Sequence, residues 1–328
     1  MSKSRTVDLT SCYPILSKIG SAREILVPVA VLILLVVATS IFAPGMLQPR
    51  ALANFGVDAS PLLITVIGGT LPILLGSIDL SVAGMASLAG VLTIELNGWF
   101  GSWTALVVVG LCGVIGGFQG LVQVWAQVPS FVTSLGTLGI LSGVSLLVSG
   151  ATAKPVPAND FLVNYFADKT FNFPNSILTV IGVALVLGCV MRFNRLGRDI
   201  YATGASEKAA IMSAVRTFRV RTLTFAISGG CSALGGLLLL AQTSFSSPSF
   251  TGNLLLLVIV GVVIGGTAIS GGVGGLTAGI IGGLIAAWLR VLTVLIGINP
   301  ATQGIVFGIM AIAAVALTID REKIGVIK

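Results

Sequence analysis

Residues Glu24 to Phe42 read EILVPVAVLILLVVATSIF. Behind the leading glutamate the run carries no charge, and at about 1.5 Å of helical rise per residue it is long enough to cross a hydrocarbon core of roughly 30 Å. It reads as a spanning helix. A cleaved secretory signal has a shorter apolar core with a small-residue cleavage site directly behind it, and Phe42-Ala43-Pro44-Gly45 makes a poor one. The run is therefore expected to be a retained first helix.

The rest of the chain repeats this character. Of 328 residues 55% are hydrophobic and 9% charged, against about 25% charged in an ordinary soluble domain. Most of the surface must face lipid. There each backbone N–H and C=O has to be satisfied internally, which leaves helices or closed barrels, and the apolar runs are too long for barrel strands. Hydropathy places helices near 25–43, 52–76, 80–96, 103–126, 130–149, 176–193, 220–241, 253–269, 274–296 and 301–319. The pair within 52–96 is the hardest to separate, because Asp79 and Ser81 interrupt a nearly continuous apolar stretch. The expectation is an all-α polytopic transmembrane bundle of about ten spans, forming a single domain over 1–328.

An even number of spans puts both termini on one side, together with the loop 194–221. That side carries Lys3, Arg5, Lys18 and Arg23, then Arg192, Arg195, Arg198, Lys208, Arg216, Arg219 and Arg221, then Arg321, Lys323 and Lys328. The other side holds Arg50, Lys154 and Lys169, and Arg290 falls inside a span. By the positive-inside rule both termini and the 194–221 loop are cytoplasmic, and 150–175 is an extracytoplasmic loop. The net charge of +7 is thus a topology signal and does not call for nucleic acid.

Catalysis finds little support. The chain has no histidine, and Cys12, Cys112, Cys189 and Cys231 form no CxxC pair, so neither a metal site nor a disulfide framework is expected. No GxxxxGK[ST] phosphate loop occurs, and the ISGG of Ile269 to Gly272, which looks like part of an ATPase signature, lies among apolar, glycine-rich spans. The 42 glycines concentrate within spans, as in Gly110 to Gly120 and Gly265 to Gly283. They suit close helix packing, or broken helices lining a substrate path. The pentapeptide VIGGT, at Val66 to Thr70 and again at Val263 to Thr267, is read as coincidence in so glycine-rich a chain.

Two places can carry function. Asp79, in GSIDLSVAG, would cost roughly 2.5 to 3.5 kcal/mol at mid-membrane if uncompensated. Two readings stand side by side: a polar group on the translocation path, or a cap formed with Ser81 at the start of the next helix. Gln119, Gln123, Thr133, Asn253, Arg290 and Gln303 are further polar groups in or beside spans, most of them serving helix–helix hydrogen bonds. The second place is NRLGRDIYATGASEKAAIMSAVRTFRVR. After a turn at Gly204, Ser206 suits an N-cap, Glu207 complements the helix dipole, and Ala209 to Ser213 extend about two turns. Either a short helix lies on the cytoplasmic face here, or the segment is a solvated loop.

ILLGSIDLSVAG (73–84), VPSFVTSLGTLGILSGVSLLVSG (128–150), NRLGRDIYATGASEKAA (194–210), VIGGTAISGGVGG (263–275) and TQGIVFGIMAIAAVALTID (302–320) are spread along most of the chain. As a set they resemble the ribose-type family of carbohydrate ABC importer permeases, which includes autoinducer-furanose systems. The resemblance implies a multi-pass subunit of the bacterial plasma (inner) membrane, paired with a second permease chain. It implies further partners: an extracytoplasmic sugar-binding protein and a cytoplasmic ABC ATPase that holds ATP and Mg, leaving no cofactor on this chain. Carried over by position, the segment after Gly204 is the coupling helix, with Gly204, Ser206, Glu207, Ala209 and Ala210 docking on the ATPase. The pore is lined partly by the Asp79 and Ser81 motif and by Phe131 and Thr133, and Asn253 and Gln303 join these as candidates for the path. The family usually has asparagine at Ser206 and glycine at Ala214, and basic residues at Val273 and Phe307. The rival function is an ion-coupled secondary carrier or channel for a small polar solute, for which only Asp79, Asp58 and Glu95 offer membrane-associated acids. A membrane-embedded enzyme would need a clustered nucleophile, metal or carboxylate set.

Overall fold

The computed structural model describes residues 14–156, 160–251, 254–299 and 302–318. Lys3, Arg5, Cys12, Asn253, Arg321, Lys323 and Lys328 lie outside these residues. Ten apolar helices occupy the ten predicted places: α1 (Pro14–Phe42), α2 (Pro49–Leu74), α3 (Val82–Glu95), α5 (Thr104–Trp125), α6 (Ser130–Ser149), α8 (Asn175–Phe193), α11 (Thr217–Thr243), α12 (Leu254–Ile264), α13 (Leu276–Leu295) and α14 (Gln303–Thr318). Short helices α4 (Asn97–Phe100), α7 (Phe161–Ala167), α9 (Arg195–Ala205) and α10 (Glu207–Met212) lie in the connections. Among the described residues six helical stretches are long and apolar enough to cross a membrane, and four shorter apolar helices accompany them. The chain is an all-α polytopic membrane protein.

Helix α2 is the axis of the bundle. From Ala59 to Leu74 every residue of it is buried, as in a helix surrounded by other helices, and its neighbours are α11, α13, α12 and α8. Pro61 lies inside it and lacks the N–H that would bond the carbonyl of Val57. That oxygen instead accepts from Gln242 Nε2 of α11 at 2.5 Å, so the defect is repaired across the helix pair.

The tightest crossing joins α5 to α11. A Cβ on Gly116 would collide with the carbonyl of Phe225, and one on Gly229 with that of Cys112. Only glycine lets the two backbones touch, which is how helices gain packing energy in lipid.

Two helices are short. α3 has 14 residues and α12 has 11, so at about 1.5 Å per residue they reach only about 21 and 17 Å. The chain between α2 and α3 (75–81) and between α12 and α13 (265–275) is not helical. The two connections meet: Gly272 N–H donates to the Leu74 carbonyl at 2.9 Å.

The 150–175 connection is structured. Strand β1 (Lys154–Pro155) pairs antiparallel with β4 (Phe245–Ser246), and β2 (Lys169–Thr170) with β3 (Phe173–Pro174). Phe171 and Asn172, at φ 51° and 65°, make a turn of the primed type that suits a two-residue hairpin. Asp160 is fully buried; it caps α7 through Leu162 and Val163 N–H and accepts from Ala105 N–H at 3.2 Å, binding the loop to the start of α5.

Candidate functional site

The residues singled out in the sequence fall into two places at opposite ends of α2. At its C-terminal end the break 75–81 is gripped from four sides. Asp79 Oδ1 accepts from the backbone and hydroxyl of Ser81 at 3.0 and 2.5 Å and from Gln119 Nε2 at 3.3 Å. Its Oδ2 accepts from Ser228 at 2.7 Å. The carboxylate is buried and occupied by donors from α5 and α11, so it fastens the break; the Ser81 N–H that it receives precedes α3, and Ser81 makes no side-chain cap bond to that helix. Ser130 and Ser134 of α6 hold the N–H and C=O of Ile78 at 3.1 Å each. Phe131 and Thr133 therefore lie within the helical turn that grips the break, Phe131 half-exposed and Thr133 partly buried.

The loop 194–221 folds into two helices where the sequence suggested one. Asn194 caps α9 through Leu196 N–H at 3.1 Å, and α9 buries Gly197, Ile200 and Thr203 while Arg195 and Arg198 stay exposed. Gly204 lies in the last turn of α9, so the expected turn falls two residues later, at Ser206. The reason is packing: a Cβ on Gly204 would overlap the Leu74 carbonyl, so α9 continues flush against the end of α2. Ser206 then caps α10, accepting from Ala209 N–H at 3.4 Å. Ala210 is buried beneath it. Its outer face presents Lys208, Ala209, Ile211 and Met212, the last 90% exposed.

Glu207 pairs with Arg221 at the start of α11, Oε2 to Nη2 at 2.8 Å, and Arg221 Nη1 donates to Ser77 at 3.1 Å. An unbroken polar chain thus runs from α10 through Arg221 to the break that Asp79 anchors. The turn 265–275, which includes ISGG, completes the junction: Gly271 touches both Gly76 and Gly204, and Tyr201 donates to the Gly274 carbonyl at 3.0 Å. Burial raises the Tyr201 pKa above its ordinary value, which keeps the phenol a donor. Arg221 and Ser77 were not singled out for this role from the sequence, where Arg221 counted only toward the charge bias. At 144 positions apart they share no local spacing that could signal it; their meeting is a matter of folding.

Gln303 lies elsewhere. With Asp58 and Arg290 it lines a cavity of about 430 Å³ between α2, α11, α12, α13 and α14. Asp58 precedes Leu74 by 16 positions on α2, or about 24 Å. Glu95, another acid in the bundle, pairs with Lys154 at 2.5 Å. Asn253 falls outside the described residues. Among those residues no group of three or more Cys, Asp or Glu side chains is placed to hold a metal.

A bundle of apolar helices whose connections 75–81 and 265–275 meet under a surface helix suits a membrane transport subunit. Residues 51–315 match the model of the family described as branched-chain amino acid transport system / permease component, and the chain belongs to this permease family. It is 31% identical to the D-allose transport system permease protein of Escherichia coli (strain K12), over 80% of this chain and 81% of that one. To the ribose import permease protein of Bacillus subtilis (strain 168) it is 28% identical, over 89% and 91%. To the autoinducer 2 import system permease protein of Yersinia pseudotuberculosis serotype O:3 (strain YPIII) it is 31% identical, over 73% and 68%. No solved structure matches it.

Proposed function

We propose that this chain is the permease subunit of an ATP-driven importer for a monosaccharide or related small sugar, without an ATPase site of its own. It works in the bacterial plasma (inner) membrane as ten spans with both termini cytoplasmic, paired with a second permease chain. A cytoplasmic ABC ATPase supplies ATP and Mg, and an extracytoplasmic binding protein delivers the sugar. The sugar class follows the relatives named above.

The observation that carries the reading is the chain Glu207–Arg221–Ser77 from α10 to the α2–α3 break. A push on α10 would be passed to Gly76 and Ser77, and through Asp79 to α5 and α11. Gly204, Ser206, Glu207, Ala209 and Ala210 form the coupling element; Asp79, Ser81, Phe131 and Thr133 belong to the part of the translocation path that it moves. Switching of the paired permeases between two discrete packings would then expose a central path to one side at a time.

The test is ATP-driven sugar uptake by the reconstituted importer. Ala209→Trp puts bulk on the exposed face of α10 without touching the internal bonds. It is expected to weaken ATPase association and abolish uptake, with the permease still in the membrane. Glu207→Arg places like charges beside Arg221 and should leave ATP hydrolysis uncoupled from uptake. Full uptake by both variants, or uptake by this chain alone under an ion gradient, would overturn the proposal.

A further inference from the structure

We infer that the cavity holding Asp58, Arg290 and Gln303 is a binding site, within one protomer, for an uncharged polyhydroxylated ligand. The inference rests on the sugar-importer reading above and adds to it a place where the ligand stops.

Asp58 and Arg290 face the same space of about 430 Å³ and also share a neighbouring cavity of about 230 Å³. The first volume falls within the roughly 300 to 1,000 Å³ of small-molecule pockets. The two charges form no ion pair with each other or with any described residue. Both residues are exposed, so solvent compensates the charges, and both stand open to a ligand that enters the space between them.

Gln303 supplies an independent sign. It is 5% exposed, lines the same cavity, and its Nε2 has no hydrogen-bond partner among the described residues. Buried donors without partners are rare, and this one lines the same cavity as an acid and a base that form no ion pair with any described residue. An acceptor-only carboxylate and two donor-only groups demand a ligand that gives and accepts hydrogen bonds at several points. A hydroxyl does both. An anion would meet Asp58 and a cation Arg290, so the ligand should carry no net charge. Phe250 and Phe307 on the cavity wall offer apolar contact for the C–H faces between hydroxyls.

An amino-acid zwitterion is the one competitor, its ammonium on Asp58 and its carboxylate on Arg290. The Ser249 hydroxyl and the Gln303 amide on the same wall favour a ligand that is polar along its length over one polar at a single end.

The experiment is saturation-transfer NMR on the full-length permease in nanodiscs, which reads weak binding, with D-ribose, D-allose and L-leucine as probes. Transfer to the C–H protons of at least one sugar is expected, reduced at least tenfold in Asp58→Asn and in Arg290→Met. Should either variant not fold, Ser249→Trp fills the cavity from an exposed position and should abolish the signal. Transfer to leucine without transfer to a sugar overturns the inference, as does sugar binding unaffected by these substitutions, or no binding of any probe. ATPase association, measured on the same preparations, reports separately on the importer reading: if it persists while the sugar signal is absent, only the site fails.

Discussion

At the residue scale the coupling segment carries a local strain that its sequence advertises. Ala214 has φ 61°, in the left-handed region where an L side chain costs about 1 to 2 kcal/mol, and it stands where the resembling family has glycine. Ala214→Gly removes that strain but adds backbone entropy to the unfolded chain. A net gain of about 1 kcal/mol is expected, read as a higher unfolding temperature in detergent. Asp79 behaves oppositely, as the acceptor of a converging set of donors. Asp79→Ala leaves the Ser81 N–H and the Gln119 amide without an acceptor and should cost about 3 kcal/mol. Asp79→Asn can keep its oxygen toward Ser81 and Gln119 while its amide donates to the Ser228 hydroxyl, which can reverse, so its loss should be well under half of that. Equal losses in thermal unfolding would show that the charge, and not the acceptor geometry, holds the break.

At the element scale α2 is completed by α11. Because Pro61 frees the Val57 carbonyl that Gln242 then satisfies, Gln242→Leu should destabilise by about 1 to 3 kcal/mol. In a Pro61→Ala background the restored N–H bonds Val57 within the helix, and the same substitution should cost little. A double-mutant cycle measures the difference as a coupling energy; additive losses would contradict the repair. The α5–α11 crossing makes a harsher prediction. Gly116→Val sets a branched side chain into the Phe225 carbonyl, where neither backbone can retreat. The helices must separate, with a loss of about 3 kcal/mol or more and poor recovery from the membrane.

For the whole molecule the question is whether α10 and the bundle move together. Reversing the pair, with Glu207→Arg and Arg221→Glu in one chain, restores attraction at the α10–α11 contact although each single change places like charges together. Uptake should recover to within a few-fold of the original in the double variant and stay at least tenfold down in each single one. Failure of the double variant would mean that Glu207 serves the ATPase directly and not the internal chain.

Hydropathy alone places all ten apolar helices, because in lipid a polar backbone has nowhere to go but its own helix and the apolar run that hides it must be long. The position of the α2–α3 interruption was legible too: Asp79 and Ser81 cannot be missed among their neighbours. Local chemistry likewise announced the Ser206 cap. The sequence says nothing of the partners these residues find. Gln119, Ser228 and Asp79 are up to 149 positions apart, and Ser77 and Arg221 are 144 apart. Nor does it show that α9 runs straight through Gly204, since that depends on the Leu74 carbonyl beside it. Periodicity and charge are properties of a segment and survive in the bare sequence. Hydrogen bonds between distant segments, the gap between Asp58 and Arg290, and the orphaned amide of Gln303 exist only once packing has brought the helices to rest.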